Sequence, residues 1–256
     1  YCSDCKLEFL RIVVVLLIGE VIAGRKYDIA VAEAILGRAL QGRRDQVVLA
    51  TTVLTQTADG VGLVGEALAR HMRDSLDTSL RLLRTDRVEL WQIHQVDDSL
   101  LAQADLVAEV FAAAQRAGKA RCVGASTYGA DPPLKALASD LFDTLQVGYS
   151  VLDQRQADHC FSLAATKGVG IIARSVLLQG ALTERGDYLP ERLADLRERS
   201  QQFRRLVADA QHDEAPDPDG LRPMDVDGRP RALVVHHRGH RGEPRGGRIR
   251  FPGFSR

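Results

Sequence analysis

Apolar positions through the middle of the chain follow two periods that alternate. Short runs rich in β-branched residues recur at 47–51 (VVLAT), 87–93 (RVELWQI), 121–125 (RCVGA), 144–148 (TLQVG) and 169–173 (VGIIA). Between them the spacing changes to three and four. Leu68, Met72, Leu76, Leu80 and Leu83 repeat in this way within 64–84, and Leu106, Val107, Val110, Phe111 and Ala114 do so within 104–117. The first pattern predicts strands and the second amphipathic helices. Strands that are apolar throughout and alternate with helices predict a parallel sheet covered by helices. Trp91, Phe111 and Phe161 are expected in the core, and His71 and His159 on the surface.

Polar residues collect where these strands end. The run at 47–51 leads into Thr52, the run at 90–93 into His94, the run at 123–125 into Ser126 and Thr127, and the run at 171–173 into Arg174 and Ser175. Parallel α/β folds build their sites at the C-terminal ends of strands, so four such endings point to a site. Two other patterns carry less. Gly60, Gly62 and Gly65 spell G-x-G-x-x-G, but a dinucleotide fingerprint needs its first glycine directly after the strand. Here residues 54–59 intervene and no acid follows at a strand end, so the stretch reads as a flexible Gly-rich loop. Ser126, His94 and Asp28 could be written as a hydrolase triad, but a nucleophile elbow would need glycine where Tyr128 stands.

Composition narrows the partners. The chain has 256 residues, with 34 Lys+Arg against 34 Asp+Glu, and this balance gives no electrostatic footprint for nucleic acid or an anionic membrane. Cys2 and Cys5 form a C-x-x-C, yet no second pair follows at zinc-ligand spacing, so no metal is expected and four cysteines make no disulfide framework. The apolar run 12–18 is shorter than the roughly 20 residues of a spanning helix, and it lacks the marks of a signal peptide. A cytoplasmic protein is the expectation. Tyr1 in place of Met reads as a processed chain, a fragment or an incomplete product.

The ends differ from the middle, which divides the chain into an atypical segment 1–26, a body 27–211 and a tail 212–256. The tail holds six of the nine prolines and seven of the 22 glycines, with nine arginines among seven acids. Beyond the short run 232–235 it has neither period. Such a composition reads either as disorder, because it buries too little apolar surface to offset ordering, or as a shifted reading frame.

Read in order, the strand-end segments resemble the aldo-keto reductases. The matching pieces are 33–40 (EAILGRAL), 47–53 (VVLATTV), 79–97 (SLRLLRTDRVELWQIHQVD), 118–128 (GKARCVGASTY), 145–152 (LQVGYSVL) and 168–183 (GVGIIARSVLLQGALT). They cover roughly residues 27–185 without a change of order. The resemblance implies an α/β fold, a (β/α)8 TIM barrel incomplete at its termini. It also implies hydride transfer between NADP(H) and an aldehyde or ketone, so a small carbonyl compound as substrate. A helix is expected at 191–210. Residues 8–23 do not resemble the family's opening hairpin and strand, and no last strand is recognised.

The resemblance also assigns residues. Asp28 falls at the family's acid, in a D-x-A setting, and His94 at the histidine that orients the carbonyl. Ser126 and Thr127 stand at the Ser-Asn pair that bonds the nicotinamide carboxamide, and Gln146 at its glutamine partner. Arg174 replaces an aromatic that stacks on the nicotinamide. Ser175, Leu177 and Gln179 match the S-P-L-x-x-G loop around the pyrophosphate, with Val176 in place of proline.

Two members of the family's catalytic set are missing. The Y-G segment that carries the acid tyrosine is deleted, because Val31 and Ala32 run straight into Glu33. Tyr27 precedes Asp28, and neighbours on a strand face opposite ways. Thr52 occupies the position of the lysine that tunes the tyrosine. The expectation is an impaired NADPH-dependent carbonyl reductase. The competing readings are a non-catalytic nucleotide-binding or protein-interaction member and a degenerate product with no stable function.

Overall fold

The computed structural model describes residues 12–15, 29–57, 59–213 and 232–234. Its strands are β1 (Ile12–Val15), β2 (Val47–Val53), β3 (Val88–Ile93), β4 (Ala120–Ser126), β5 (Thr144–Gly148), β6 (Gly170–Arg174) and β7 (Ala232–Val234). Its helices are α1 (Ile29–Ala39), α2 (Gly65–Leu83), α3 (Asp98–Leu101), α4 (Ala104–Arg116), α5 (Asp131–Ala138), α6 (Ser162–Lys167) and α7 (Ala194–Asp213). The strands form one sheet in chain order, and every neighbouring pair is parallel. Parallel neighbours need crossovers, which the intervening helices supply. This is the strand order of a (β/α)8 barrel, with seven strands among the described residues.

The described residues fall into two units. The first runs to Arg174 and includes β7, and the second holds residues 175–213.

Alternation along the strands sorts the first unit into two faces. Leu49, Val53, Trp91, Ile93, Val123 and Leu145 pack outward with Leu68, Met72 and Leu76 of α2 and Val107, Val110 and Phe111 of α4. Trp91 meets Phe111 edge-on, with ring centroids 5.2 Å apart, an arrangement aromatic quadrupoles favour. Ala50, Leu90, Cys122 and Ile172 form a separate inner cluster. Continuing that inner set toward the C-terminal ends reaches Thr52, Gln92, Ser126, Gln146 and Arg174.

Acids fix the sheet at other points. Glu89 accepts the Leu49 N–H at 2.7 Å and pairs with Arg44, while Asp143 accepts the Val123 N–H at 2.8 Å. These bonds tie β2 to β3 and β4 to the segment before β5.

Several expectations need correction. Residues 12–15 pair with β2 and residues 232–234 with β6, so strands do come from the two segments that the apolar pattern left without a family match. The predicted helix at 191–210 begins as a 3-10 turn, Glu191–Leu193, closed by Leu193 N–H to the Pro190 carbonyl, and continues as α7 to Asp213. The Gly-rich stretch after β2 carries turn hydrogen bonds: Thr57 N–H reaches Val61 O, Gly60 N–H reaches Thr57 O and Leu63 N–H reaches Thr55 O. At the start of α2, the Gly65 N–H donates to Gln103 Oε1 at 2.7 Å. The helix N-terminus that a Rossmann reading would leave open to phosphate is therefore engaged by a side chain. His71 is exposed and Trp91 and Phe111 are buried, as the periodicity required.

Candidate active site

The register of β2 through β6 brings the sequence-predicted residues onto one face. Thr52 stands beside Gln92, Gln92 beside Gly124, Ser126 beside Gln146, and Gly148 beside Arg174. His94 follows β3 with its N–H on the Val53 carbonyl at 2.9 Å, and it is half-buried. Ser126 and Gln146 are buried.

A pair of buried amides organises the centre. Gln92 and Gln146 are both 0% exposed, and Gln92 Nε2 donates to Gln146 Oε1 at 3.4 Å. Their strands are not adjacent; β4 runs between them. Gly124 stands on β4 beside Gln92, where a Cβ would fall against Thr144 Oγ1 and stand 3.0 Å from the Thr144 carbonyl. Gln92 Oε1 and Gln146 Nε2 then have no hydrogen-bond partner among the described residues. A buried polar atom left unpaired costs about 1–3 kcal/mol. One acceptor and one donor are thus left unpaired near the C-terminal ends of β3 and β5.

Thr127 is engaged otherwise. Its N–H and its hydroxyl both donate to the Gln146 carbonyl, at 3.0 and 3.4 Å. This residue holds the loop after β4 against β5, so that Ser126 and Gln146 keep their spacing.

Arg174 closes the row. Its Nη2 donates to the Thr127 carbonyl at 3.0 Å, and its Cζ lies 3.9 Å from the centroid of the Tyr128 ring. Gly148 faces it from the neighbouring strand, and a Cβ there would lie in ordinary contact with Cζ, Nη1 and Nη2, each at 3.8 Å. The inner end of β2 carries no cation: Thr52 is buried there as a neutral hydroxyl. The described lysines lie elsewhere, Lys119, Lys135 and Lys167 pairing with Asp77, Asp98 and Asp140.

Asp28 and Tyr27 lie outside the described residues. Ser175, Leu177 and Gln179 belong to the second unit, where residues 175–180 make a tight double turn. Leu178 N–H reaches the Ser175 carbonyl and Gly180 N–H the Leu177 carbonyl. Ser175, Leu178, Gln179 and Gly180 all have positive φ. For each of the three non-glycine residues that conformation costs on the order of 1–3 kcal/mol, strain of a kind that concentrates at ligand clamps.

Gln92 and Tyr128 lie within the matching segments, but the sequence assigned neither a role in the site. For Gln92 a signal existed, a polar residue two positions after Leu90 on the inward face of β3. Tyr128 gave none, because its partner is set by the loop after β4.

Comparison with known proteins accords with this geometry. The model of the Aldo/keto reductase family matches residues 23–215. Aldo-keto reductase YhdN of Bacillus subtilis is 27% identical over 159 residues, which cover 61% of this chain and 47% of that protein. The solved holo form of aldo-keto reductase AKR11C1 from Bacillus halodurans is 28% identical with a TM-score of 0.54, over 63% of this chain and 53% of that one. An aldo/keto reductase from Klebsiella pneumoniae, solved with NADP and acetate, shares the fold at 19% identity and a TM-score of 0.54, over 88% of this chain and 69% of its own. The chain spans about half the length of the curated relative it matches. With the family model matching most of the sequence, on parallel strands that alternate with helices, the chain belongs to the aldo/keto reductase family.

Proposed function

We propose that the inner face at the ends of β2–β6 binds NADPH beside a small aldehyde or ketone, and that reductase turnover by this chain is weak. Gln146 carries the binding half of this reading. It is wholly buried, its Oε1 is taken by Gln92, and its Nε2 is left without a partner among the described residues. A nicotinamide carboxamide offers the acceptor that this N–H lacks, and the buried Ser126 stands beside Gln146 in register. The residues present fit the group, which when bound supplies the hydride. Family membership supports the same cofactor.

The other roles follow the family's pattern. Arg174 lies toward the nicotinamide ring, since a guanidinium can meet a ring plane. Ser175, Leu177 and Gln179 wrap the pyrophosphate in their strained turn. His94 orients the carbonyl oxygen, and Asp28 stands at the family's aspartate, the partner of the lysine that Thr52 replaces. The proposed setting is the cytoplasm, with no nucleic-acid or membrane partner; among the described residues no helix is long and apolar enough to cross a membrane.

The weak turnover rests on Thr52. Reducing a carbonyl leaves an alkoxide that needs a proton, and a positioned acid typically contributes roughly 10²- to 10⁴-fold. A neutral hydroxyl at the end of β2 tunes no acid. That same residue favours a second reading, in which nucleotide binding persists without chemistry.

Titration with NADPH by fluorescence, followed by turnover of an aromatic aldehyde at the nicotinamide absorbance, tests both halves. Binding is expected, with turnover about 100-fold or more below a reductase that has the tyrosine and lysine. No binding would overturn the cofactor half. Fast turnover that survives Tyr27→Phe would overturn the impairment, and binding with no turnover at all would select the second reading.

A further inference from the structure

We propose that Arg174 is an oxyanion-binding residue, taking either a carboxylate carried by the carbonyl substrate or a phosphate of the nucleotide. The proposal rests on reading the inner face as a ligand site, and not on hydride transfer.

Charge balance around this side chain is the argument. Arg44, Arg155, Arg197 and Arg204 each meet a carboxylate, at Glu89, Asp153, Glu191 and Asp187. Among the described residues no Asp or Glu forms an ion pair with Arg174. The groups that meet it are uncharged: Gly148 in register on β5, the Thr127 carbonyl and the Tyr128 ring. Arg174 Nε is buried and has no hydrogen-bond partner among the described residues. A half-buried cation with an unused donor is costly to keep unless something accepts from it.

The side chain is also held in place. The Thr127 carbonyl takes one Nη2 proton, and the Tyr128 ring faces Cζ, a cation–π contact that fixes the guanidinium without neutralising it. What remains is a planar, permanently charged fork, the geometry that matches a carboxylate or phosphate with two N–H donors. An amide or a hydroxyl from the ligand could fill the open donor but would leave the charge unbalanced, so an oxyanion is the better complement.

Calorimetric titration of the full chain with benzoate, its neutral isostere benzamide and inorganic pyrophosphate tests this. Benzoate is expected to bind about tenfold or more tightly than benzamide, the size of a charge-assisted hydrogen bond. Arg174→Gln should erase that preference while the circular dichroism spectrum stays that of the parent chain. Tyr128→Leu keeps the charge but removes the ring, and should weaken benzoate several-fold without erasing the preference. Equal binding of benzoate and benzamide by the parent chain, or an undiminished preference in Arg174→Gln, would overturn the proposal. Repeating the benzoate titration with saturating NADPH separates the sources. Benzoate that still binds assigns the fork to the substrate's carboxylate, and benzoate displaced by NADPH, with pyrophosphate bound through Arg174, assigns it to a phosphate. If NADPH does not bind, the cofactor reading fails while the benzoate preference still decides this one.

Discussion

The proposed limit on this chain's chemistry rests on a single hydroxyl at the inner end of β2. Thr52 is buried next to Gln92, and the inward positions along β2–β6 offer no carboxylate to hold a lysine there. Thr52→Lys alone is therefore expected to leave aldehyde turnover within about tenfold of the parent chain, because the proton donor would still be absent. A larger rise, read at the nicotinamide absorbance, would show that an acid is already in place. The strand-end residues could be found by eye, since a polar residue closing an apolar run is visible in one dimension. The amide bridge could not. Gln92 and Gln146 lie 54 positions apart, and only the register of β3 and β5 against β4, with Gly124 between, brings them together.

Elements repeat the same division. Periodicity located β2–β6, α2 and α4 within one or two residues, because each is long enough to show its period against flanking turns. It passed over α5 and α6, at 8 and 6 residues too short for a period to emerge. In the second unit a carboxylate ties two elements: Asp187, in the 3-10 turn Glu184–Tyr188, accepts from Arg204 and Gln201 of α7. The hydrogen bond from Arg204, with a further one from Gln201, holds the Asp187 carboxyl below its usual range. A depressed folded pKa means stabilisation that is present above the unfolded value, about 3.9, and lost as pH falls through the folded one. The turn should thus become more susceptible to an acid-active protease below about pH 4, and Asp187→Asn should flatten that dependence. The group is exposed, so the effect is local; an unchanged pH profile in the Asn variant would remove Asp187 from the account.

At the scale of the molecule, the chain leaves the sheet at Arg174 and returns to it as β7. Ile171, Ile172 and Ala173 pair with Ala232, Leu233 and Val234 in parallel register. Ending the chain after Asp213 would leave the edge of β6 without these bonds. At about 1 kcal/mol net for each of roughly three ladder hydrogen bonds, the loss is about 2–3 kcal/mol. For a protein of this size that lowers the thermal midpoint by roughly 4–12 °C, measurable by circular dichroism. An unchanged midpoint would show that β7 contributes nothing to the sheet's stability.

The amino-acid sequence by itself determined the alternation of strand and helix, the parallel sheet that follows from it and the polar row at the strand ends. These are consequences of period and chain order, which one dimension records. The tertiary structure alone decided which of those polar groups are left unpaired. Register sets Gln92 against Gln146, and the loop after β4 sets Tyr128 against Arg174, which has no ion pair among the described residues. It also drew β1 and β7 from segments without a family match, because a few ladder bonds to an existing edge can order a short apolar run that local propensity leaves undecided.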